Sequence, residues 1–171
     1  ALARVLGLGG ADLGREVSGA STGNDTGHWE DAHVLDLHER ALSGLGTAWD
    51  EALVLPADWA SRPAGRALRA AALDYLRTDR ARHPLWAMKE PRQCLFAEAW
   101  REAAAEAGLP VSVVLVLRSP AEVAASLAAR DGMAAARAHL LWLEYTLAAL
   151  ETAARLPHVL VDYASLLQDW P

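Results

Sequence analysis

The chain has 171 residues, 53% of them hydrophobic and 22% charged, which suits one domain with a core and falls short of two. Its net charge of −6 argues against a duplex-binding face and so against nucleic acid as a partner, while leaving room for a local basic pocket that takes a small anion. The single cysteine, Cys94, rules out an internal disulfide and fits a reducing, cytoplasmic compartment; no apolar run is long enough to span a bilayer, and none has the pattern of a signal peptide.

The first residues, ALARVLGL, have helical character without a methionine or a cap, and the end, QDWP, is equally abrupt. The expectation is a single domain over 1–171, cut from a longer protein at both ends. Leu2 to Leu8 reads as a short helix closed by Gly9 and Gly10. Residues 14–28, GREVSGASTGNDTGH, have the composition of a long loop, of the kind that is often functional. From Trp29 to Leu45 the pattern turns periodic, with Val34, Leu35, His38, Ala41, Leu42 and Leu45 on one helix face. Trp49 and Trp59 flank a turn at Pro56. Pro63 to Arg82, rich in alanine and arginine, predicts another helix.

Leu85 to Met88 reads as a short strand ending in KEPR. Gln93 to Ala107 predicts a helix with Phe96, Trp100 and Ala103 inward and Gly108 as its stop. Val111 to Leu117 is a nearly unbroken run of β-branched residues and leucine, as in a strand buried on both faces of a parallel sheet. Helices follow over Pro120–Arg130 and Ala134–Arg155, the second with Leu140, Leu143, Leu147 and Leu150 inward. Val159 to Val161 predicts a last strand, and Tyr163 to Gln168 opens a final helix. Strands alternating with helices define a helix-rich α/β layered fold.

Three stretches carry chemistry. In VLRSPAEVAASLAAR, Ser119, Pro120 and Glu122 form a capping box, so Arg118 stands at the carboxyl end of a strand, where open α/β sheets bind ligands. Ser126 returns to nearly the same helix face as Ser119, and a guanidinium and a hydroxyl so placed can grip one phosphate. The plain alternative is a surface arginine and a tolerated helical serine. In WAMKEPR, Lys89 and Arg92 bring two cations to the end of a second strand, where a solvated ion pair is the plain alternative. In GHWED, Glu30 and Asp31 suit a helix N-terminus electrostatically, while the functional reading makes Glu30 a general base.

GHWED, LHERAL, KEPR, VLRSPAEVAASLAAR, LLWLEYTLAAL and VLVDYASLL, in that order, resemble the sulfotransferases that use 3′-phosphoadenosine 5′-phosphosulfate (PAPS), in particular bacterial members and the tyrosylprotein branch. The resemblance covers nearly the whole chain. It implies a three-layer fold with a parallel central sheet of the P-loop NTPase type, PAPS as cofactor, and no metal. It assigns Arg118 and Ser126 to the 3′-phosphate; Arg92, the second cation of KEPR, is expected as a further cofactor-binding residue. Lys89 matches the lysine of the family's Lys-Asp-Pro motif, with Glu90 here in place of the aspartate. Glu30 resembles the base of the tyrosylprotein branch, and His28 and Glu90 stay open as alternatives. KEPR lacks the histidine that the cytosolic branch carries after this strand. The family's phosphate-binding loop, of the form Arg-Ser-Gly-Thr-Ser, lies just ahead of a helix like ALARVLGL and so is expected upstream of Ala1.

The implied reaction moves a sulfuryl group to a hydroxyl or amine acceptor, a small molecule or a glycan. Glu30 takes the acceptor proton and Lys89 offsets charge on the leaving oxygen. The six histidines lack the spacing of a metal site; His33 and His38 read as helix-face residues, and Trp29 is a candidate for lining an acceptor pocket. Two other readings share parts of this pattern. A P-loop kinase-like phosphotransferase needs an acidic strand end for Mg²⁺, whereas these strands end in Lys89 and Arg118. A non-catalytic helical interaction module makes the same cations surface solubility groups.

Overall fold

Prolines and glycines set the limits of several helices. A computed structural model describes residues 2–19, 27–51 and 55–168, so part of the loop expected over 14–28 and the last three residues lie outside it. Seven α-helices are present among the described residues: α1 (Leu2–Leu8), α2 (Ala32–Gly44), α3 (Pro63–Thr78), α4 (Gln93–Ala107), α5 (Pro120–Asp131), α6 (Ala135–Ala153) and α7 (Tyr163–Gln168). Two strands, β1 (Val113–Leu117) and β2 (His158–Asp162), complete a helix-rich α/β protein with a small parallel sheet. Pro63 and Pro120 occupy the first turns of α3 and α5, where a missing N–H costs nothing. Gly108 and Gly132 end α4 and α5 in the left-handed region, with φ of 71° and 66°. No described helix is long and apolar enough to cross a membrane.

The chain divides into two compact units, residues 1–49 with 55–109 and residues 50–54 with 110–171. In the first unit α3 packs against α2 and α4. Val34, Leu37 and Leu42 from α2, Leu68, Tyr75 and Leu76 from α3, and Phe96 and Trp100 from α4 fill the core. Each such side chain contributes roughly 1.5–3 kcal/mol by leaving water. Gly65 is required here, because a Cβ at this position would lie 2.2 Å from the Trp59 carbonyl oxygen.

The predicted strand over Leu85–Met88 is not a strand. Trp86 makes one parallel bridge with Asp12: Asp12 N–H donates to Leu85 O (3.1 Å) and Ala87 N–H to Asp12 O (2.8 Å). Gly10 and Gly14, at φ of 95° and 127°, turn the backbone away on either side of Asp12, so no ladder extends. Asp12 is held there by the buried Arg80, whose guanidinium donates to its carboxylate. The helix predicted to Arg82 stops at Thr78 and continues as a 3₁₀ turn over Arg80–Arg82.

In the second unit β1 and β2 pair in parallel from Val113↔His158 to Leu117↔Asp162, and the connection runs through α5 and α6 as parallel strands require. Expectations fail here in two ways. Val114 is 46% exposed, so β1 is not buried on both faces. Leu140, Leu143, Leu147 and Leu150 of α6 face solvent, not the core. The buried stripe of α6 is instead Ala138, Leu141, Ala149 and Ala153, and α5 contributes Ala124. Small side chains let α5 and α6 approach closely, so α6 turns its alanine face inward and leaves its leucine face outside.

Candidate functional site

Glu30 is placed by a strap. Residues 16–18 run antiparallel to 30–32: Ser18 N–H donates to Glu30 O (2.8 Å), Trp29 N–H to Ser18 O (3.1 Å) and Ala32 N–H to Glu16 O (3.0 Å). The Ser18 hydroxyl also accepts from Glu30 N–H at 3.1 Å. The next residue, Asp31, caps α2 by accepting from His33 N–H (2.9 Å) and from the Tyr75 hydroxyl (2.5 Å). Asp31 is 1% exposed, and a Cβ on Gly14 would fall 2.0 Å from its Oδ2, so only glycine fits beside it. That carboxylate, with burial acting first, holds the Tyr75 hydroxyl far above its usual range. Trp29, between the strap and the cap, has φ of 59°, a conformation that a bulky side chain adopts only where its surroundings enforce it. The Arg4 guanidinium of α1 lies 5.9 Å from the Trp29 ring.

The carboxylate so placed meets Lys89. Its Nζ donates to Glu30 Oε1 and to the His28 carbonyl (3.3 Å). The Glu30 side chain is 12% exposed and that of Lys89 44%, so the pair opens to water on the lysine side. Lys89 is the only lysine among the sixteen Lys and Arg residues of the sequence. A chain that otherwise uses arginine for every cation places its one compact ammonium opposite this carboxylate.

The neighbours of Lys89 in KEPR point the other way. Glu90 is 3% exposed; its carboxylate accepts from His38 Nδ1, from Arg92 N–H (3.0 Å) and from the Arg92 guanidinium. Burial pushes the Glu90 carboxyl up, but the His38 hydrogen bond and the Arg92 charge outweigh it and leave the group below its ordinary value. Arg92 spans Glu90 and Glu39 (2.6 Å), and its guanidinium lies 5.8 Å from the Trp49 ring. That cation is engaged by two carboxylates.

In the second unit Arg118 directly follows β1, at the carboxyl ends of both parallel strands. Its Nε donates to Glu122 Oε2 (3.0 Å), its guanidinium lies 5.1 Å from the Tyr163 ring, and its carbonyl accepts from the Trp142 indole (3.0 Å). The capping box expected at this turn does not form: Ser119 is the N-cap residue without a side-chain cap bond, and Glu122 pairs with Arg118 instead. Ser126 is exposed on α5, and among the described residues no hydrogen bond joins it to Arg118.

A pocket of about 330 Å³ is lined by Arg15, Glu16, Asp31, His33, Asp36, Tyr75 and Asp79, with Arg15 and Asp79 paired at 2.5 Å. Its carboxylates outnumber its cations, which disfavours a polyanion there. Among the described residues no group of His, Cys, Asp and Glu is arranged to hold a metal ion. Sequence reasoning missed the Tyr75–Asp31 contact and the Trp100–His38–Glu90 chain, which depend on helix packing. It also passed over the single lysine, which was visible from composition alone. No family model, curated protein or solved structure matches the chain.

Proposed function

We propose that the chain is a sulfotransferase that moves a sulfuryl group from PAPS to a hydroxyl or amine acceptor, built on a three-layer fold of the P-loop NTPase type. The observation that carries this reading is the pairing of Glu30 with Lys89, which brings GHWED and KEPR together across 59 residues of sequence. When bound, PAPS supplies the activated sulfuryl group and a phosphate leaving oxygen. Glu30 accepts the proton of the acceptor as the new oxygen–sulfur or nitrogen–sulfur bond forms. Lys89 keeps a positive charge beside the reacting centre and offsets the charge that builds on the leaving oxygen as the old sulfur–oxygen bond breaks.

Arg118 and Ser126 are the residues for the 3′-phosphate. Arg118 fits that role because it follows a parallel strand at its carboxyl end and spends only its Nε on Glu122. Arg92 and Glu90 stand behind Lys89 within the first unit, since each is already engaged by buried or half-buried partners. The base is therefore Glu30, with His28, whose carbonyl holds Lys89, as the remaining competitor.

The test is calorimetric titration with 3′-phosphoadenosine 5′-phosphate, using the longest natural polypeptide that contains this chain. A charge-assisted phosphate contact contributes about 1.5–3 kcal/mol, so Arg118→Ala should weaken binding roughly 10- to 150-fold. Equal affinity in mutant and parent removes the assignment. Preference for ATP with Mg²⁺ over the 3′-phosphorylated nucleotide moves the reading to a kinase-like phosphotransferase.

A further inference from the structure

Lys89 reaches Glu30 from a turn that has no strand to hold it, because the bridge at Trp86 is a single pair. What fixes the turn is the residue after the lysine. Glu90 points inward and meets His38 of α2, which is fully buried. The other ring nitrogen of His38, Nε2, accepts from the Trp100 indole of α4 at 2.8 Å, so the imidazole proton resides on Nδ1 and is donated to Glu90. The Phe96 and Trp100 rings pack on the imidazole at 5.3 and 5.8 Å and leave it one orientation. Glu90 in turn holds Arg92 N–H through its carboxylate and Gln93 N–H through its carbonyl (3.0 Å), which locks the start of α4. One helix therefore serves both partners of the ion pair. Asp31, the cap of α2, follows Glu30 directly, and His38 lies in the second turn of the same helix.

We infer that His38 and Glu90 are positioning residues for Lys89: the buried imidazole–carboxylate contact sets the turn from which the ammonium faces Glu30. The inference rests on the sulfotransferase reading for what the pair does, and on geometry alone for how the pair is held.

The single lysine makes the test direct. A chain labelled with ¹³Cε-lysine gives one lysine signal, and it reports Lys89. In the parent the two Hε protons should have separate shifts, as for an ordered ammonium, and Glu30→Gln should merge them. His38→Leu, which removes the donor to Glu90, should merge them as well. His38→Asn, which restores an N–H close to the Nδ1 position, should bring the separation back. Leu76→Ala, a core change that removes no member of this hydrogen-bonded network, should leave it in place. Glu90→Gln keeps the side-chain shape and supplies the same reading should His38→Leu fail to fold. Separate shifts unchanged in Glu90→Gln, and in His38→Leu where that variant folds, overturn the inference. Titration with 3′-phosphoadenosine 5′-phosphate, on the longest natural polypeptide that contains this chain, keeps the two claims apart. Merged shifts with no nucleotide binding by the parent leave the positioning role standing and sink the enzyme reading. Normal binding with unmoved shifts sinks the positioning role alone.

Discussion

The two units of this chain bury different things. The first fills its core with large side chains, among them Phe96, Trp100, Tyr75, Leu42 and Leu76, and threads a hydrogen-bonded chain through them from Trp100 to Glu90. Among the described residues the second buries four alanines and Leu141, while Val114, Leu140, Leu143, Leu147, Leu150, Val159, Leu160 and Leu167 face solvent. Burial of large groups removes more apolar area per residue and holds each ring in one place. Alanine packing brings two backbones close but leaves the larger apolar groups outside. The first unit can thus hold the Glu30–Lys89 pair in a fixed geometry. The second presents Arg118 from the end of a sheet that is two strands wide among the described residues.

The largest effect that tests this contrast is loss of a ring from the first core. Phe96 is fully buried, packs on His38 and meets Trp59 edge-on at 5.2 Å, so Phe96→Ala should cost about 3–5 kcal/mol and move the urea midpoint sharply down. Leu147 of the second unit is 52% exposed, so Leu147→Ala should change stability by less than about 0.5 kcal/mol. Comparable costs for the two would break the contrast and mean that the leucine face is covered in solution.

Sequence pattern captured α4 at both ends, since a helical face carrying Phe96 and Trp100 meets Gly108 at a left-handed stop. It placed β1 and Arg118 correctly in relation to each other, because an apolar run followed by Ser-Pro marks where a strand yields to a helix. It misjudged α6, where both faces are apolar and periodicity cannot tell which turns inward. It misjudged Leu85–Met88, because a strand is defined by its partner and the partner offers one residue between two glycines. Within the site, the residue types at Glu30 and Lys89 were readable. Their contact was not, because it depends on how α2 and the KEPR turn pack. The engagement of Arg92 by Glu39 and Glu90 was hidden for the same reason.

A second test is electrostatic. The folded-state pKa of Glu90 lies below its unfolded value, so its ionised form favours folding; that contribution is present above the ordinary carboxyl range and is lost as pH falls through the depressed value. Glu90→Gln at neutral pH leaves Arg92 and His38 without their common partner, a loss of roughly 3 kcal/mol for a broken buried pair. Thermal melts from pH 7 to pH 3 should show the parent losing its advantage over the variant below about pH 4.5. Parallel curves would mean that the Glu90 charge does no stabilising work in the first unit.

The smallest effect is chemical, and it reads one unit by itself. Cys94, in the first turn of α4, is the only cysteine of the chain and belongs to the first unit. Burial, and then the negative charge of Glu90, push its thiol up to about 11. Thiolate is the reactive form, so at pH 8 iodoacetamide should label the native chain about 100-fold more slowly than the urea-unfolded one through ionisation alone. Removing the neighbouring charge with Glu90→Gln should raise the native rate, because one of the two causes of the shift is gone. Labelling followed across a urea gradient then isolates the opening of the first unit. Phe96→Ala should bring that opening to lower urea and Leu147→Ala should leave it where it was. A shift caused by Leu147→Ala would show that the two cores open as one, and the difference between them would then be one of packing style without consequence for stability.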